Sequence, residues 1–420
     1  MLKTYSLLSG VTLRVFPDDR FKQNYLSIQL ALPATEEDAS YNALFPAVLL
    51  RGCQSAPDMR HIILRQDDLY GASINTLLRR IGDYQVTGLS CGFISDSYAL
   101  DGDKILAPMM AFLREILLCP VLEGGVFRED YVQSEKKNLI ANIQAQINDK
   151  RSYCNSQLMR KMCAKDSYGI PLLGEVEDVQ AITPKSLYDH YQKVLRTARI
   201  DLFYVGQDPE NALPGLLKDI FSQIDRDYVN LPAQTHFCSA GGGTFTETME
   251  IAQAKLAMGF TTPITIDGPE FAAIRVLNVL FGGGMTSKLF MNVREKLSLC
   301  YSIGSSYHGS KGILTVYAGI DDDKCDTVRE QVQLQLQAIC DGDITDRELA
   351  AAKEALLSGL RGTHDSPAAI EGYYASAALS GLNMTPAAYM EAVSAVDAAA
   401  VSAAAKTLQL DTTYILKGVQ

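Results

Sequence analysis

The spacing of apolar and polar positions divides the chain into strands and helices before any chemistry is considered. VTLRVFP (11–17), NYLSIQLALP (24–33) and VTGLSCGFI (86–94) either alternate or run continuously apolar, and they are rich in the β-branched and aromatic residues that suit strands. TETMEIAQAKLAMGF (246–260), SIGSSYHG (302–309) and GILTVYAGI (312–320) repeat that character later in the chain. Between them, apolar residues recurring every three or four positions predict helices over 43–52, 103–118, 126–148, 268–280, 285–298 and 346–360. Mixed blocks of this kind predict an α+β fold with helices packed on mainly antiparallel sheets.

The pattern also repeats. Residues 179–206 match residues 393–418, with Val179 facing Val393, Ala181 facing Ala395, Ile182 facing Val396, Leu187 facing Val401 and Val194 facing Leu408. After a two-residue slip Gly206 meets Gly418. Each copy reads as a helix followed by a closing strand, which predicts two homologous halves of about 200 residues produced by duplication. The stretch 207–245 carries Pro209, Pro214, Pro232 and the run Gly241 to Gly243, and it loses periodicity after Asp227. The expected division is therefore 1–227, a linker at 228–243, and 244–420.

Residues 281–307, FGGGMTSKLFMNVREKLSLCYSIGSSY, join a glycine run to a helix and a strand. Gly282, Gly283 and Gly284 permit positive φ and close approach of another chain, and Thr286 or Ser287 can cap the helix that follows. Met285, Leu289, Val293 and Leu297 form a stripe with a four-residue repeat, which leaves Arg294 and Glu295 on other faces, free to meet a ligand. A phosphate-binding loop is excluded, because Ser287 and not glycine precedes Lys288. Cys300 lacks a His or Asn set nearby in sequence and reads as a buried thiol.

This segment resembles the insulinase or pitrilysin superfamily of zinc peptidases, which includes the mitochondrial processing peptidase. That family carries a glycine-rich segment, a Ser-Lys/Arg-Leu-Phe helix, then an Arg and a Tyr at the spacing of Arg294 and Tyr301. The resemblance implies that Arg294 and Tyr301, with Gly282, Gly283 and Gly284, hold an extended polypeptide by its backbone, as in strand addition. It also implies that the two halves close like a clamshell. DDLYGA (67–72), QAKLAMGF (253–260), REKLSLCYSI (294–303) and KEALLSGLRGTHDSP (353–367) resemble the metal-less bacterial branch that accompanies an active relative.

An active member needs His-x-x-Glu-His on a helix, two metal ligands and a general base, completed by a later Glu. The five histidines here are His61, His190, His236, His308 and His364. No two are close enough to form that motif or its inversion. If Arg51-Gly52 matches the basic-Gly pair that follows the motif, Ala43 and Ala47 stand for the histidines and Pro46 for the base. Proline inside a helix costs about 3 kcal/mol, so a kinked or shortened helix is expected there. Glu135 resembles the distal ligand and is at most a vestige of it; by its own neighbours, Lys136 and Lys137, it reads as a solvated helix charge. His61 with Asp67 and Asp68 reads as a turn region around Tyr70-Gly71, and His190 as a core-edge histidine. No metal and no other cofactor are expected.

Composition narrows the partners. The 420 residues are 47% hydrophobic with a net charge of −11, and no basic run exceeds Lys136-Lys137, which argues against nucleic acid or an anionic membrane surface. The first residues lack a continuous apolar signal region, and no apolar run approaches a membrane span. Nine scattered cysteines without a CxxC pair fit reduced thiols and a cytoplasmic setting. The reading favoured is a non-catalytic, peptide-binding subunit that partners an active peptidase paralogue or another copy of itself. The alternatives are a scaffold that keeps only the fold and a weak metallopeptidase with unusual ligands.

Overall fold

In the computed structural model, which describes residues 2–208, 211–233, 235 and 242–418, the strands build two large sheets. The first contains β1 (Lys3–Leu8), β2 (Val11–Pro17), β3 (Gln23–Pro33), β4 (Ser73–Ile81) and β5 (Tyr84–Ile94). After a short hairpin of β6 (Leu122–Glu123) and β7 (Val126–Phe127), β8 (Arg199–Gly206) completes it in the order β1-β2-β8-β3-β5-β4. The second contains β9 (Gly243–Met249), β10 (Ala254–Thr261), β11 (Ser302–His308), β12 (Ile313–Ile320) and β13 (Gln409–Gly418), in the order β11-β12-β10-β13-β9. Each sheet is antiparallel except at one pair, β2 with β8 and β9 with β13. Apart from β1 the two orders correspond: in both, the last strand of the half inserts between its first two.

The sequence repeat has a structural counterpart in two lysines. Lys136 donates to the carbonyls of Gln180 (2.9 Å) and Ile182 (2.5 Å), and Lys353 donates to those of Ser394 (2.5 Å) and Val396 (2.8 Å). The acceptors are equivalent in the register that pairs Ile182 with Val396. Each ammonium satisfies carbonyls at the end of a short helix, Val176–Ala181 or Pro386–Ala395, that would otherwise lack partners. Lys136 is thus a buried structural cation and not a member of a solvated charge run.

By contacts the chain forms two compact units, and neither is continuous in sequence. One comprises the chain up to Gln144, Pro171–Pro232 and Asp365–Ser376; the other comprises Ala145–Ile170, Ala233–His364 and the chain from Ala377 onward. Packing thus places Ala145–Ile170 and Asp365–Ser376 in units built mainly from the other part of the sequence. In the first unit, Leu26, Ile28, Leu30 and Leu32 of β3 face a core with Leu44, Phe45 and Val48 of the helix Glu36–Leu49. The opposite face carries Ser27 and Gln29, and both are buried by Glu371 from the segment 365–376. In the second unit the helix Lys150–Met162 covers β10 and β13, with Cys154 and Leu158 against Ala257, Tyr414 and Leu416. An alternating strand pattern alone assigns such a face to water; here a segment distant in sequence covers it. Much of the 228–243 linker, with Gly241, His236 and Cys238, lies outside the described residues, as does Pro209.

Three local expectations change. The helix expected at 43–52 runs from Glu36 to Leu49, capped by Thr35 accepting from the Asp38 N–H at 3.2 Å, and Pro46 does not shorten it. The carbonyl that proline deprives of its helical donor, that of Asn42, accepts instead from the Thr87 hydroxyl at 2.6 Å. The stretch 246–260 is two strands, β9 and β10, separated by a break at Glu250–Gln253. Residues 285–298 shorten to a π-helix over Leu289–Lys296.

Candidate functional site

The π-helix sets the position of Arg294. The N–H of Leu297 reaches back five residues to the Asn292 carbonyl at 3.1 Å, and that of Leu299 reaches back six, to Val293, at 3.1 Å. The wider turn alters the four-residue stripe read from the sequence: Leu289 and Val293 are buried, while Met285 and Leu297 are exposed. Ser287 accepts from the Phe290 N–H at 3.3 Å, as a cap residue does. Lys288 is buried and paired with Glu348 at 2.8 Å, which removes it from any ligand role. The helix ends at Ser298, whose φ of 51° is the left-handed conformation usually left to glycine. That residue turns the chain toward Tyr301 and β11.

Arg294 and Tyr301 come together in a cleft of about 360 Å³ lined also by Glu295, Ser298, Leu299, Cys300, Asp321 and Lys324. Arg294 lies over the ring of Phe290, 4.6 Å from its centroid, and its Nε donates to the Tyr301 carbonyl at 2.9 Å. Its Nη1 donates to Glu295 at 2.7 Å. Nη2 takes no part in these contacts and remains able to donate outward. Tyr301 is 56% exposed, and its hydroxyl donates to Asp321 at 3.0 Å. The other carboxylate oxygen of Asp321 holds Lys324 at 2.7 Å. The ammonium of Lys324, then the hydroxyl of Tyr301, keep the Asp321 carboxyl below its ordinary range, and the same carboxylate raises the Tyr301 phenol. Cys300 is buried and its thiol is pushed up to about 11 by desolvation, so it is not a nucleophile at neutral pH.

Sequence reasoning singled out Arg294 and Tyr301 but missed Asp321 and Lys324. Their signal was the run Asp321-Asp322-Asp323-Lys324 directly after a strand, in which an acid and a lysine three residues apart pair across one turn. The glycine run does not line the cleft, and none of its residues has positive φ. Gly282 serves a different need. Its carbonyl accepts from the Ser305 N–H of β11 at 3.0 Å, and a Cβ there would stand 2.7 Å from that nitrogen. At Ser305 the free edge of β11 is thus occupied by the chain itself.

The region that would hold zinc is built otherwise. Glu135 is not a solvated charge: it pairs with Arg51 and accepts from Asn138 at 3.1 Å, while Arg51 also donates to Ser134 at 2.8 Å. The distal carboxylate is thus neutralised by the arginine that follows the altered motif. His190 Nε2 donates to Asn42 Oδ1 at 2.8 Å, and its Nδ1 lies 3.4 Å from Asp38. His61 sits 2.8 Å from Asp58, the cap of its own helix. Among the described residues no group of three or more His, Cys, Asp or Glu is placed to hold a metal ion. No helix among them is long and apolar enough to cross a membrane.

Comparison with known proteins agrees with this geometry. Residues 181–356, which include the cleft, match the family model described as Peptidase M16 inactive domain. The chain is 30% identical over 411 residues to a Bacillus subtilis protein named probable inactive metalloprotease YmfF, covering 98% of this chain and 96% of that one. The chain belongs to the M16 peptidases, the insulinase and pitrilysin family. It is a homologue of the inactive type. A conserved protein from Enterococcus faecalis superposes with a TM-score of 0.92 at 27% identity, covering 100% of this chain and 99% of the other. A structure described as a peptidase M16 inactive domain from Pseudomonas fluorescens shares the M16 fold, with a TM-score of 0.82 at 19% identity and coverage of 100% and 98%.

Proposed function

We propose that this M16 homologue is a non-catalytic subunit that grips the backbone of an extended polypeptide at the Arg294–Tyr301 cleft and works beside a zinc-bearing relative. The observation that carries the reading is Arg294. Its guanidinium lines the cleft and is fixed by the Tyr301 carbonyl, Glu295 and Phe290, through contacts among the described residues that do not use Nη2. A guanidinium so anchored is preorganised to donate charge-assisted hydrogen bonds to a peptide carbonyl. Such a grip has evident use where another chain supplies the metal, since Ala43, Pro46 and Ala47 supply neither ligands nor base and Arg51 occupies Glu135.

Fluorescence anisotropy with a mixed set of labelled extended peptides tests the reading. A charge-assisted hydrogen bond is worth about 1.5 to 3 kcal/mol, so Arg294→Ala should weaken binding roughly ten- to hundredfold. Tyr301→Phe should cost about 0.5 to 1.5 kcal/mol. Neither should shift the melting temperature much, because both side chains lie at a cleft rim. Unchanged affinity in Arg294→Ala would make the cleft a relic and the chain a scaffold. One bound zinc per chain with chelator-sensitive cleavage would overturn the non-catalytic assignment.

A further inference from the structure

The Tyr301 hydroxyl has one proton to give, and Asp321 takes it at 3.0 Å. Asp321 is in turn fixed by Lys324 at 2.7 Å. While that relay stands, Tyr301 cannot donate to a peptide carbonyl; its remaining capacity is the lone pairs of the phenol oxygen, which accept. Arg294 can only donate, because a guanidinium has no acceptor. The cleft therefore presents a donor edge and an acceptor edge in one space of about 360 Å³. That is the complement of a peptide unit, whose C=O accepts and whose N–H donates.

We propose that Asp321 is a positioning residue that turns Tyr301 into an acceptor, so that the cleft reads a peptide C=O through Arg294 and a peptide N–H through Tyr301. The inference rests on the peptide-binding reading above and adds the polarity of each contact. It excludes a ligand that offers carbonyls alone, such as a polyester or an N-alkylated chain. Lys324 supports the arrangement by holding the second oxygen of Asp321, which leaves the first to face the phenol.

The test is an ester scan. One peptide that binds in the anisotropy assay is remade with each backbone amide replaced in turn by an ester, which deletes one N–H and also weakens the carbonyl of that unit, so the informative position is the one whose penalty depends on Tyr301. With the unmodified protein, one position should lose about two- to tenfold in affinity. The same ester should cost less than about twofold in Tyr301→Phe, because the acceptor is gone. Its penalty should also shrink in Asp321→Ala, where the hydroxyl is released to donate. Melting temperatures of both variants control for folding, and a merely structural role for Asp321 would not select one amide. If the ester penalties are the same in all three proteins, or if no position responds, the acceptor assignment fails while peptide binding stands. If no peptide binds and Arg294→Ala changes nothing, both readings fail together.

Discussion

Replacing Glu371 probes the least expected contact in the fold, because a residue near the C-terminal end of the chain buries a carboxylate beneath a strand near its start. The side chain is fully buried. One oxygen accepts from Ser27 Oγ (2.8 Å), Gln29 Nε2 (2.5 Å) and Arg79 Nη1 (3.0 Å), and the other accepts from Arg79 Nη2 at 2.9 Å. Glu371→Ala removes every one of these acceptors. Ser27 and Gln29 are buried and cannot turn to water: the Ser27 hydroxyl loses its acceptor at about 1 to 3 kcal/mol, while Gln29 Nε2 keeps its 3.0 Å bond to Ser27 Oγ and loses less. Arg79 is 31% exposed and can partly rehydrate, so its share is smaller. Removing one partner of a buried ion pair typically costs about 3 to 5 kcal/mol, and that is the destabilisation expected here. Urea unfolding of the full chain measures it. Limited proteolysis should show new cleavage between Gly362 and Gly381 as the segment comes away from β3. Replacing both Arg79 and Glu371 by methionine should cost less than Glu371→Ala alone, since an apolar pair leaves no uncompensated charge. A loss below about 1 kcal/mol in Glu371→Ala, with an unchanged digestion pattern, would refute the claim that this carboxylate anchors the segment.

Acid should expose a second buried arrangement. Hydrogen bonding from His190, then from Lys193, holds the Asp38 carboxyl at about 2, below its ordinary 3.8. The folded value is the lower one, so the stabilisation is complete above pH 4 to 5 and is lost as pH falls toward 2; it amounts to roughly 2 kcal/mol. Asp38→Asn should flatten that part of a stability-versus-pH curve, and an unchanged curve would contradict the assignment. At the glycine run, Gly282→Ala should cost about 1 to 3 kcal/mol, because its Cβ meets the backbone of β11. Gly284→Ala meets open space and should change stability by less than about 0.5 kcal/mol. Equal effects at the two positions would mean that close packing against Ser305 is not the reason for Gly282.

What could be read from the sequence was local or periodic. The strands at 11–17, 86–94, 302–309 and 312–320 emerged because alternation and β-branched content are properties of neighbouring residues. The duplication emerged because Val179, Ala181, Ile182, Leu187 and Val194 match Val393, Ala395, Val396, Val401 and Leu408 in one register. The segment exchange did not, since nothing near Ser27 or Gln29 announces that Glu371 will cover them. Pro46 misled for a related reason: its cost depends on whether another group satisfies the Asn42 carbonyl, and Thr87 does so from a strand remote in sequence. Glu135 was misread because its partner, Arg51, lies far away along the chain. At the cleft, Arg294 and Tyr301 were visible as spacing, whereas the π-turn and the Asp321 relay required coordinates.

The duplication also separates what the fold supplies from what a few side chains decide. In the first unit the helix Met59–Asp68 ends at Tyr70 with φ 60°, and the chain then enters the edge strand β4. In the second the π-helix ends at Ser298 with φ 51° and leads into the edge strand β11. A left-handed residue between a helix and an edge strand is thus common to both halves. So is a tyrosine beside an acid of the following loop: the Tyr70 hydroxyl donates to Asp103 at 2.7 Å, as that of Tyr301 does to Asp321. What differs is the cation. Among the described residues, it is at Tyr301 that an arginine on the preceding helix fixes the backbone, its Nε 2.9 Å from the Tyr301 carbonyl. The left-handed turn is therefore shared by both halves, although Tyr70 is itself the turn residue and Tyr301 follows Ser298 by three, and the binding chemistry proposed here depends on Arg294. That ranking requires Arg294→Ala to reduce peptide affinity more than either Tyr301→Phe or Asp321→Ala.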